Sequence, residues 1–413
     1  MKKFKTEEFN KKLFCYIKIG FIMDCRERIL TALNFEEPDR VPCHAILIDA
    51  NNVDKILGKP QITDFDTLEQ IKKENPDNWT EVLSNLVEGV ETTVFSRCVE
   101  AAIKIGLDCM QIGLIPLEFI DLPDDDRNLM KDVFGRIWEA RNNEGNFNPY
   151  YLYGTMDSLD KWKKVKEEIK GPLTRKYKKM VKKFYRRINK KYGDKIFVAV
   201  TNDLAGVHES AWQGMGIRFF SKMLHKDPKF IREVYKTYAE FSADLYEIYI
   251  DTGAELFVES GDLAYKTRPM LSPKQFDELL LPAYQIITER VHEKGAKIIL
   301  HTDGQVMPLL DFVVNCGFDG LHSLEPTAGV DLEYCKKKAG NKLCLFGNID
   351  VAHDLVYGTR EEVFNSVKKS IKIAAPGGGY VVSPANMHPA VNVENLKWMI
   401  SATKKFGRYP LKI

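Results

Sequence analysis

His301 and Asp303 are the residues whose types and spacing most directly suggest chemistry in this sequence. They stand two residues apart at the end of the apolar run Lys297–Thr302, and residues i and i+2 of an extended strand point to the same side. An imidazole beside a carboxylate could bind a divalent metal ion or act as a general acid–base pair. The pattern H-x-D also arises often by chance, so the alternative is a histidine that only hydrogen-bonds a neighbouring carboxylate at the strand end.

Polar residues also follow the other apolar runs of the sequence. Glu259 and Asp262 end the preceding run, where they could complete a site with His301 and Asp303. We therefore predict that His301, Asp303 and Asp262 are catalytic. The predicted metal ligands are His301, Asp303 and Glu259. Residues at further strand ends are predicted to contact a substrate: Asp203, Glu325, Asn348, Asn386 and His388. His44, inside the first run, is predicted to be a buried core histidine.

Short apolar runs rich in β-branched residues must position these side chains, and about eight are present: Val41–Ile48, Asp108–Ile115, Ile196–Asn202, Glu255–Glu259, Lys297–Thr302, Gly317–Ser323, Leu343–Asn348 and Gly379–Pro384. Amphipathic helical stretches separate most of them. This alternation predicts a parallel sheet covered by helices, and about eight strands favour a closed (β/α)8 TIM barrel with its site at the carboxyl ends of the strands. The alternative is a doubly wound open sheet, but the first predicted strand is not followed by a GxGxxG turn. Residues 50–105 and 116–195 are longer inserts, expected to be helical.

The composition is that of a large globular protein. The chain has 413 residues, of which 44% are hydrophobic and 29% are charged, and this excludes a disordered chain, a collagen-like fibre or a disulfide-stapled miniprotein. The sequence has no run of 18 or more apolar residues, so we expect no membrane helix. A formal net charge of +2 gives no reason to expect a nucleic-acid partner. The eight cysteines form no CxxC pair, which is typical of reduced thiols in a cytoplasmic protein.

The N-terminal region divides near Met23. Residues 1–22 begin with a basic stretch, and the apolar stretch that follows is interrupted by Lys18 and has no small-residue cleavage site, so it does not resemble a secretory signal. From Met23 onward the sequence begins like a well-formed domain. We expect residues 1–22 to be an extension outside the fold, or the product of an upstream start, and residues 23–413 to be a single barrel domain.

Four segments of the sequence resemble the uroporphyrinogen decarboxylase-like superfamily. They are RERILTALNFEEPDRVP at 26–42, HTDGQVMPLLDFVVNCGFDGLHSLEP at 301–326, LFGNIDVAHDLVYGTREEV at 345–363 and PGGGYVVSPANMHPAVNVENL at 376–396. The resemblance runs from about residue 23 to the C-terminus, in the order that the family shows. It implies a distorted (β/α)8 barrel with its site at the carboxyl ends of the strands.

The resemblance implies one of two chemistries. The true decarboxylases of porphyrin biosynthesis need no cofactor and resemble one another in an arginine-containing RQAGR segment after the first strand. The corresponding region here reads HAILIDANNVDKI, which lacks arginine. Their substrate carries eight carboxylates, and each lost charged hydrogen bond costs roughly 1.5–3 kcal/mol of binding free energy. The missing arginine therefore argues against porphyrinogen decarboxylation. The second chemistry, found in anaerobes, is the cobalamin-dependent transfer of methyl groups between a corrinoid protein and a thiol, a folate or a methylated substrate.

The resemblance also bears on the metal. The resemblance to thiol-methylating members implies an HxC…C zinc site. The positions of this sequence that match its three ligands are His301, Asp303 and Asn386. Oxygen atoms replace both thiolates, which puts a thiol acceptor in doubt and leaves methoxylated aromatics, methylamines or a folate. We therefore predict a cytoplasmic methyltransferase component of one-carbon metabolism with cobalamin on a partner corrinoid protein, and zinc at His301. The alternatives are a uroporphyrinogen decarboxylase and a non-catalytic tetrapyrrole-binding barrel.

Overall fold

Eight parallel strands form a barrel in the computed structural model, which describes residues 22–59, 65–114, 117–122, 127–143, 146–202, 206–340 and 342–413. The described strands are β1 His44–Ala45, β2 Cys109–Ile112, β3 Leu117–Ile120, β4 Leu129–Asp132, β5 Arg136–Asn143, β6 Asn146–Gly154, β7 Phe197–Thr201, β8 Leu256–Ser260, β9 Lys297–Thr302, β10 Gly320–Ser323, β11 Cys344–Ile349 and β12 Tyr380–Pro384. The barrel order is β1–β2–β7–β8–β9–β10–β11–β12, and an isolated parallel bridge between Cys43 and Val382 joins its two ends. The predicted (β/α)8 barrel is confirmed.

Helices surround this barrel. They are α1 Cys25–Leu33, α2 Ala50–Leu57, α3 Phe65–Glu74, α4 Trp79–Ile105, α5 Leu159–Lys170, α6 Pro172–Tyr192, α7 Val207–Met215, α8 Ile217–Lys226, α9 Pro228–Ile250, α10 Leu281–Glu293, α11 Leu310–Asn315, α12 Leu332–Ala339, α13 Arg360–Ala374 and α14 Val393–Phe406. A π-helical segment, Phe276–Leu280, leads into α10, and another, Val351–Tyr357, follows β11. Within the described residues, none of the helices is both long enough and apolar enough to cross a membrane.

Apolar side chains from alternate positions of the strands fill the barrel. Val258 of β8, Ile299 of β9 and Phe346 of β11 belong to one buried cluster, which Ile29 and Leu33 of α1 complete. Parallel strands buried on both faces need apolar residues on both sides, and this explains their nearly continuous apolar runs. The alternation continues beyond the apolar layer, so the residue two positions after Ile299, His301, points into the barrel mouth.

Buried ion pairs fix the chain that leads from α1 into the barrel. Arg28 contacts both Asp39 and Asp108 through nitrogen–oxygen distances of 2.7 Å. Arg40 binds the same Asp108 at 2.7 Å. Asp108, 1% exposed, precedes β2. Arg28, Asp39 and Arg40 of the segment at 26–42 therefore belong to a structural network, and none of them lies in the cluster described below.

The second insert contains an antiparallel sheet, β3–β4–β5–β6, which differs from the expectation of helical inserts. Met130 and Trp138 of this sheet pack with Trp79 of α4 in a small separate core. A register shift between Ile137 and Trp138 interrupts the pairing of β5 with β6. Such a bulge breaks the alternation of apolar and polar residues by which a strand is predicted. The first insert is helical as expected in its described part, which contains α2, α3 and α4.

The predicted N-terminal extension lies almost wholly outside the described residues, because the description begins at residue 22. Helix α1 starts at Cys25 with Asp24 as its N-cap, and Glu27 completes a capping box. The two reciprocal hydrogen bonds of such a box satisfy backbone N–H groups that the first turn leaves free.

Candidate functional site

Strands β8 and β9 bring three polar side chains together at the carboxyl end of the barrel. His301 is the fifth residue of β9, and Asp303 and Asp262 follow the ends of β9 and β8. Asp303 donates its backbone N–H to Asp262 Oδ1 at 2.9 Å. One ligand atom from each of Asp262, His301 and Asp303 can be chosen so that all three lie within 4.8 Å of one another. One nitrogen and two oxygen atoms at this spacing form a donor set suited to a divalent cation.

Asn386 holds one oxygen of the Asp303 carboxyl, and the Ser323 hydroxyl lies near enough to lower the pKa of the group. Asn386 Nδ2 donates to Asp303 Oδ2, whereas Asp303 Oδ1 is buried and accepts no hydrogen bond of normal geometry from any described residue. Burial raises the pKa of Asp303, the charge of Asp262 raises it further, and His301 opposes the shift. Burying a carboxylate oxygen that accepts no hydrogen bond costs free energy unless a cation or a proton binds to it. Asp303, one of the predicted metal ligands, therefore has Oδ1 available for a cation or a proton.

A chain of buried side chains continues inward from His301. His301 Nδ1 and His322 Nδ1 are 2.7 Å apart, and His322 Nε2 is 2.9 Å from Ser383 Oγ. His44 Nδ1 lies 3.2 Å from the same hydroxyl. Burial, with a contribution from His301, lowers the pKa of His44 to about 3, and burial above all lowers that of His322 well below its usual value. Burial therefore favours the neutral form of both His44 and His322.

A cavity of about 360 Å³ opens beside this group. Asp303, Glu325, Asn386 and His388 line it, as do Asp350, Val351, Val356, Tyr357 and Met387. Among the described residues that line it, none is a lysine or an arginine. The cavity therefore combines carboxylates with apolar and aromatic surface, which favours a neutral or cationic ligand over a polyanion.

The structure corrects the predicted role of Glu259. Its neighbours Val258 and Ser260 lie on the inner side of β8, where Ser260 Oγ is 3.1 Å from Thr201 Oγ1, so Glu259 faces outward. There it accepts hydrogen bonds from Asn202 Nδ2 at 2.8 Å, Tyr246 Oη at 3.0 Å and the Val207 N–H at 3.1 Å. Burial raises its pKa to about 7 despite these donors. Glu259 is therefore not part of the group with His301. Asp262 takes the place that we predicted for Glu259.

The predicted substrate contacts divide into three groups. Glu325, Asn386 and His388 line the cavity, although Glu325 Oε2 also accepts the Gly304 N–H at 3.2 Å. Asn348 does not line it, and its Oδ1 accepts a hydrogen bond of 3.4 Å from Ser370 Oγ on α13. Asp203 lies outside the described residues.

Sequence analysis assigned no role to His322 and Ser383, which stand at strand ends, and it assigned His44 only to the core. His44 is indeed 1% exposed, but its hydrogen bond connects it to the chain that ends at His301. The strand register contains the signal that could have found His322, because His322 of β10 pairs with His301 of β9. Ser383 lies two residues after Val381, which points into the barrel, so the same alternation places its hydroxyl inside.

The fold and this group of side chains define the protein as a (β/α)8 barrel with a polar site at the carboxyl ends of its strands. Residues 209–406 match the family model of uroporphyrinogen decarboxylase (URO-D). This part of the chain is therefore a uroporphyrinogen decarboxylase (URO-D) family domain, which confirms the resemblance noted in the sequence.

Individual relatives are more distant. The methylcobamide:CoM methyltransferase MtaA of Methanosarcina barkeri (strain Fusaro) is 25% identical over 193 residues, which are 46% of this chain and 54% of the relative. A uroporphyrinogen decarboxylase of Francisella philomiragia is 24% identical over 51% of this chain and 62% of its own. The chain spans about half the length of the curated relatives it matches. A solved methyltransferase from Methanosarcina mazei has the same fold, with a TM-score of 0.66 over 93% of this chain and 99% of its own, at 18% identity.

Proposed function

We propose that this protein is the methyltransferase component of a corrinoid-dependent system, which moves a methyl group between a small methylated compound or a folate and a corrinoid protein. The observation that carries the proposal is the convergence of Asp262, His301 and Asp303 beside an open cavity at the barrel mouth. The names of the Methanosarcina relatives, which include methylcobamide:CoM and methylated-thiol–coenzyme M methyltransferases, support this class of reaction.

Zinc is the metal that we propose for this group. His301 and one carboxylate oxygen each from Asp262 and Asp303 would supply three ligands, the number that catalytic zinc sites commonly take from the protein while leaving a position open. The free Asp303 Oδ1 fits this role. When bound, the metal would polarise the heteroatom that carries the methyl group. Asn386 would keep Asp303 oriented through the hydrogen bond to Oδ2.

The charge of the cavity limits the class of methylated compound that it could bind. Asp303, Glu325 and Asp350 contribute carboxyl groups, whereas the described lining residues include no lysine or arginine to pair with an anionic substrate. A porphyrinogen with eight carboxylates would be repelled here, and a folate with its anionic tail is disfavoured for the same reason. Tyr357, which is 84% exposed at the cavity, offers an aromatic face. Methoxylated aromatics and methylamines fit this surface best, while oxygen ligands make a thiol acceptor a poorer match.

The partner and the location of the protein form part of the proposal. The cobalamin would be carried by a separate corrinoid protein that docks over the barrel mouth, where the open cavity lies. The described cysteines are free thiols: Cys25, Cys43, Cys98, Cys109, Cys316, Cys335 and Cys344. Free thiols are typical of a reducing compartment, which supports a cytoplasmic location.

A spectroscopic assay tests the proposal. The purified chain is analysed for zinc and then mixed with Co(I) cobalamin and one methyl donor at a time: a methoxylated aromatic, a methylamine or methyltetrahydrofolate. Formation of methylcobalamin, seen as a change in the visible spectrum, is expected with one of the first two donors and should disappear in His301→Ala. Asn348→Ala is the matched control, because Asn348 does not line the cavity.

Two results would contradict this function. One is the absence of methyl transfer with all three donors, both with free cobalamin and with a corrinoid protein from the same host. The other is conversion of uroporphyrinogen to coproporphyrinogen by the metal-free chain, which would establish the decarboxylase alternative.

A further inference from the structure

We propose that His322 and Ser383 are positioning residues that fix the tautomer of His301, so that His301 carries its proton on Nδ1 and presents an unprotonated Nε2 to Asp262 and Asp303. The inference deepens the proposed function, since it names the atom of His301 that would bind the metal or accept a proton. It rests on the direction of hydrogen bonds in the buried chain that links β9, β10 and β12.

The buried hydrogen-bond chain ends at the backbone oxygen of Pro384, an atom that can only accept a hydrogen bond. Ser383 Oγ donates its single hydrogen to the backbone carbonyl of Pro384 at 3.0 Å. Because a hydroxyl has one hydrogen and two lone pairs, Ser383 must then accept from its other neighbours. These are His322 Nε2 at 2.9 Å and His44 Nδ1 at 3.2 Å. Both imidazoles therefore direct an N–H towards the serine.

His322 is the link that transmits this direction. Its side chain is fully buried, its ring nitrogens contact His301 and Ser383, and no carboxylate of the described residues hydrogen-bonds to it, so burial favours the neutral ring. A neutral imidazole has one N–H, and Ser383 Oγ, whose own hydrogen goes to the Pro384 carbonyl, can only accept from His322 Nε2. The hydrogen is therefore on Nε2, which leaves Nδ1 as an acceptor.

His301 must then be the donor in the remaining contact. Its Nδ1 lies 2.7 Å from His322 Nδ1, a distance that requires one hydrogen between two nitrogens. With His322 Nδ1 as acceptor, that hydrogen belongs to His301 Nδ1. The neutral form of His301 consequently has its lone pair on Nε2, the nitrogen that His322 leaves unoccupied, and this is the nitrogen that we infer to serve the group with Asp262 and Asp303. Free histidine prefers the opposite tautomer, so the buried chain imposes a choice that the side chain would not make alone.

The opposite arrangement has a specific cost. If Ser383 donated to His322 Nε2, the Pro384 carbonyl would lose the hydrogen bond from Ser383. His301 Nδ1 would then be the acceptor, and Nε2 would carry a hydrogen towards the carboxylates. Such a site would orient an N–H to an oxygen and would have no nitrogen lone pair for a metal.

Nitrogen NMR of the full chain tests the tautomer directly. The chain is labelled with ¹⁵N-histidine, treated with a chelator so that no metal chooses the tautomer, and studied by long-range ¹H–¹⁵N correlation. His301 is assigned as the signal lost in His301→Gln among the eight histidines. We expect a protonated Nδ1 and an unprotonated Nε2 in the neutral ring. A protonated Nε2 with a free Nδ1 would overturn the inference.

Two variants test the positioning roles. His322→Phe removes the acceptor and should return His301 to the Nε2–H tautomer, with Zn²⁺ affinity about 10–100-fold weaker. Ser383→Ala should give a mixture of the two tautomers and a smaller loss of affinity. Unchanged tautomer and affinity in both variants would show that the buried chain is only structural packing.

Buried residues that do not belong to this hydrogen-bond chain provide matched controls. His208→Phe changes a buried histidine that bonds Tyr235 Oη at 2.8 Å, and Ser210→Ala removes a buried hydroxyl that has no hydrogen-bond partner among the described residues. Both should leave the His301 signals and Zn²⁺ affinity unchanged. The expected tautomer without methyl transfer would refute the proposed function alone, and methyl transfer with the opposite tautomer would refute this inference alone.

Discussion

Asp303 and Glu259 show how two acids near one another in a barrel acquire different properties. Burial raises the pKa of both groups. Glu259, on the outer face of β8, receives three hydrogen bonds and is enclosed by α9 and the start of α7. Asp303, at the barrel mouth, keeps one buried oxygen that accepts no well-formed hydrogen bond from a described residue. A raised pKa therefore does not identify a functional acid by itself, and the number of unsatisfied atoms separates the two cases.

The largest effect is expected for His301→Ala. Loss of the nitrogen ligand should remove Zn²⁺ binding and lower methyl transfer at least about 1,000-fold, equivalent to about 4 kcal/mol in the barrier. The unfolding free energy should fall by about 1–3 kcal/mol, because the buried His322 Nδ1 loses its partner. Metal analysis, turnover and chemical denaturation measure these three quantities. Retention of metal and activity in this variant would show that the mouth of the barrel is not the site.

Glu259→Ala is expected to have the reverse profile. The substitution leaves buried donors on Asn202, Tyr246 and Val207 without an acceptor, each of which costs about 1–3 kcal/mol when it cannot reach water. We expect a loss of about 3–4 kcal/mol in unfolding free energy, measured by denaturant titration, while the folded fraction still binds Zn²⁺. Loss of metal at unchanged stability would instead place Glu259 in the metal site.

The pH dependence of stability should also report on Glu259. Its folded-state pKa of about 7 is above the ordinary value of 4.5, so the folded protein holds this proton more tightly than the unfolded chain. The stabilisation is complete below pH 4.5 and is lost as the pH rises through 7. Between pH 5 and pH 8 the wild type should lose about 2–3 kcal/mol more than Glu259→Gln, which cannot titrate. Parallel stability curves for the two proteins would contradict this assignment.

The smallest effect separates two asparagines. Asn386→Ala removes the hydrogen bond to Asp303 Oδ2 and should weaken Zn²⁺ binding about tenfold, as loss of a ligand's supporting partner commonly does. Asn348→Ala, whose side chain bonds Ser370, should stay within about twofold of wild type. Calorimetric titration of the two variants gives the comparison. Equal losses would mean that Asn386 does not orient Asp303.

The barrel could be predicted because its strands have a strong local signal. Each of the eight predicted apolar runs contains or overlaps one barrel strand, and Lys297–Thr302 coincides with β9. The first run, Val41–Ile48, is longer than the paired strand His44–Ala45, because sheet pairing ends before the apolar residues do. The sheet of β3–β6 was missed since charged residues interrupt its strands, as in Arg136–Asn143, and a bulge breaks its alternation.

The candidate site could be predicted in part. The sequence places His301 and Asp303 together, because their spacing keeps both on one side of an extended segment. It could not assign Glu259 to the outer face of β8, since both faces of a barrel strand are buried and the apolar residues around Glu259 look alike on either side. Asp262, three residues further along and beyond the strand end, reaches the inner side instead.

Local sequence patterns were enough to predict the parallel barrel, the carboxyl-end location of the polar residues and the pairing of His301 with Asp303. Tertiary structure decided which residues surround that pair. His44, His322 and Ser383 are separated from His301 by tens to hundreds of residues, and only closure of the sheet brings their strands to one interior. The physical reason is that local periodicity specifies a strand, whereas the side it turns inward depends on neighbours that are distant in the chain.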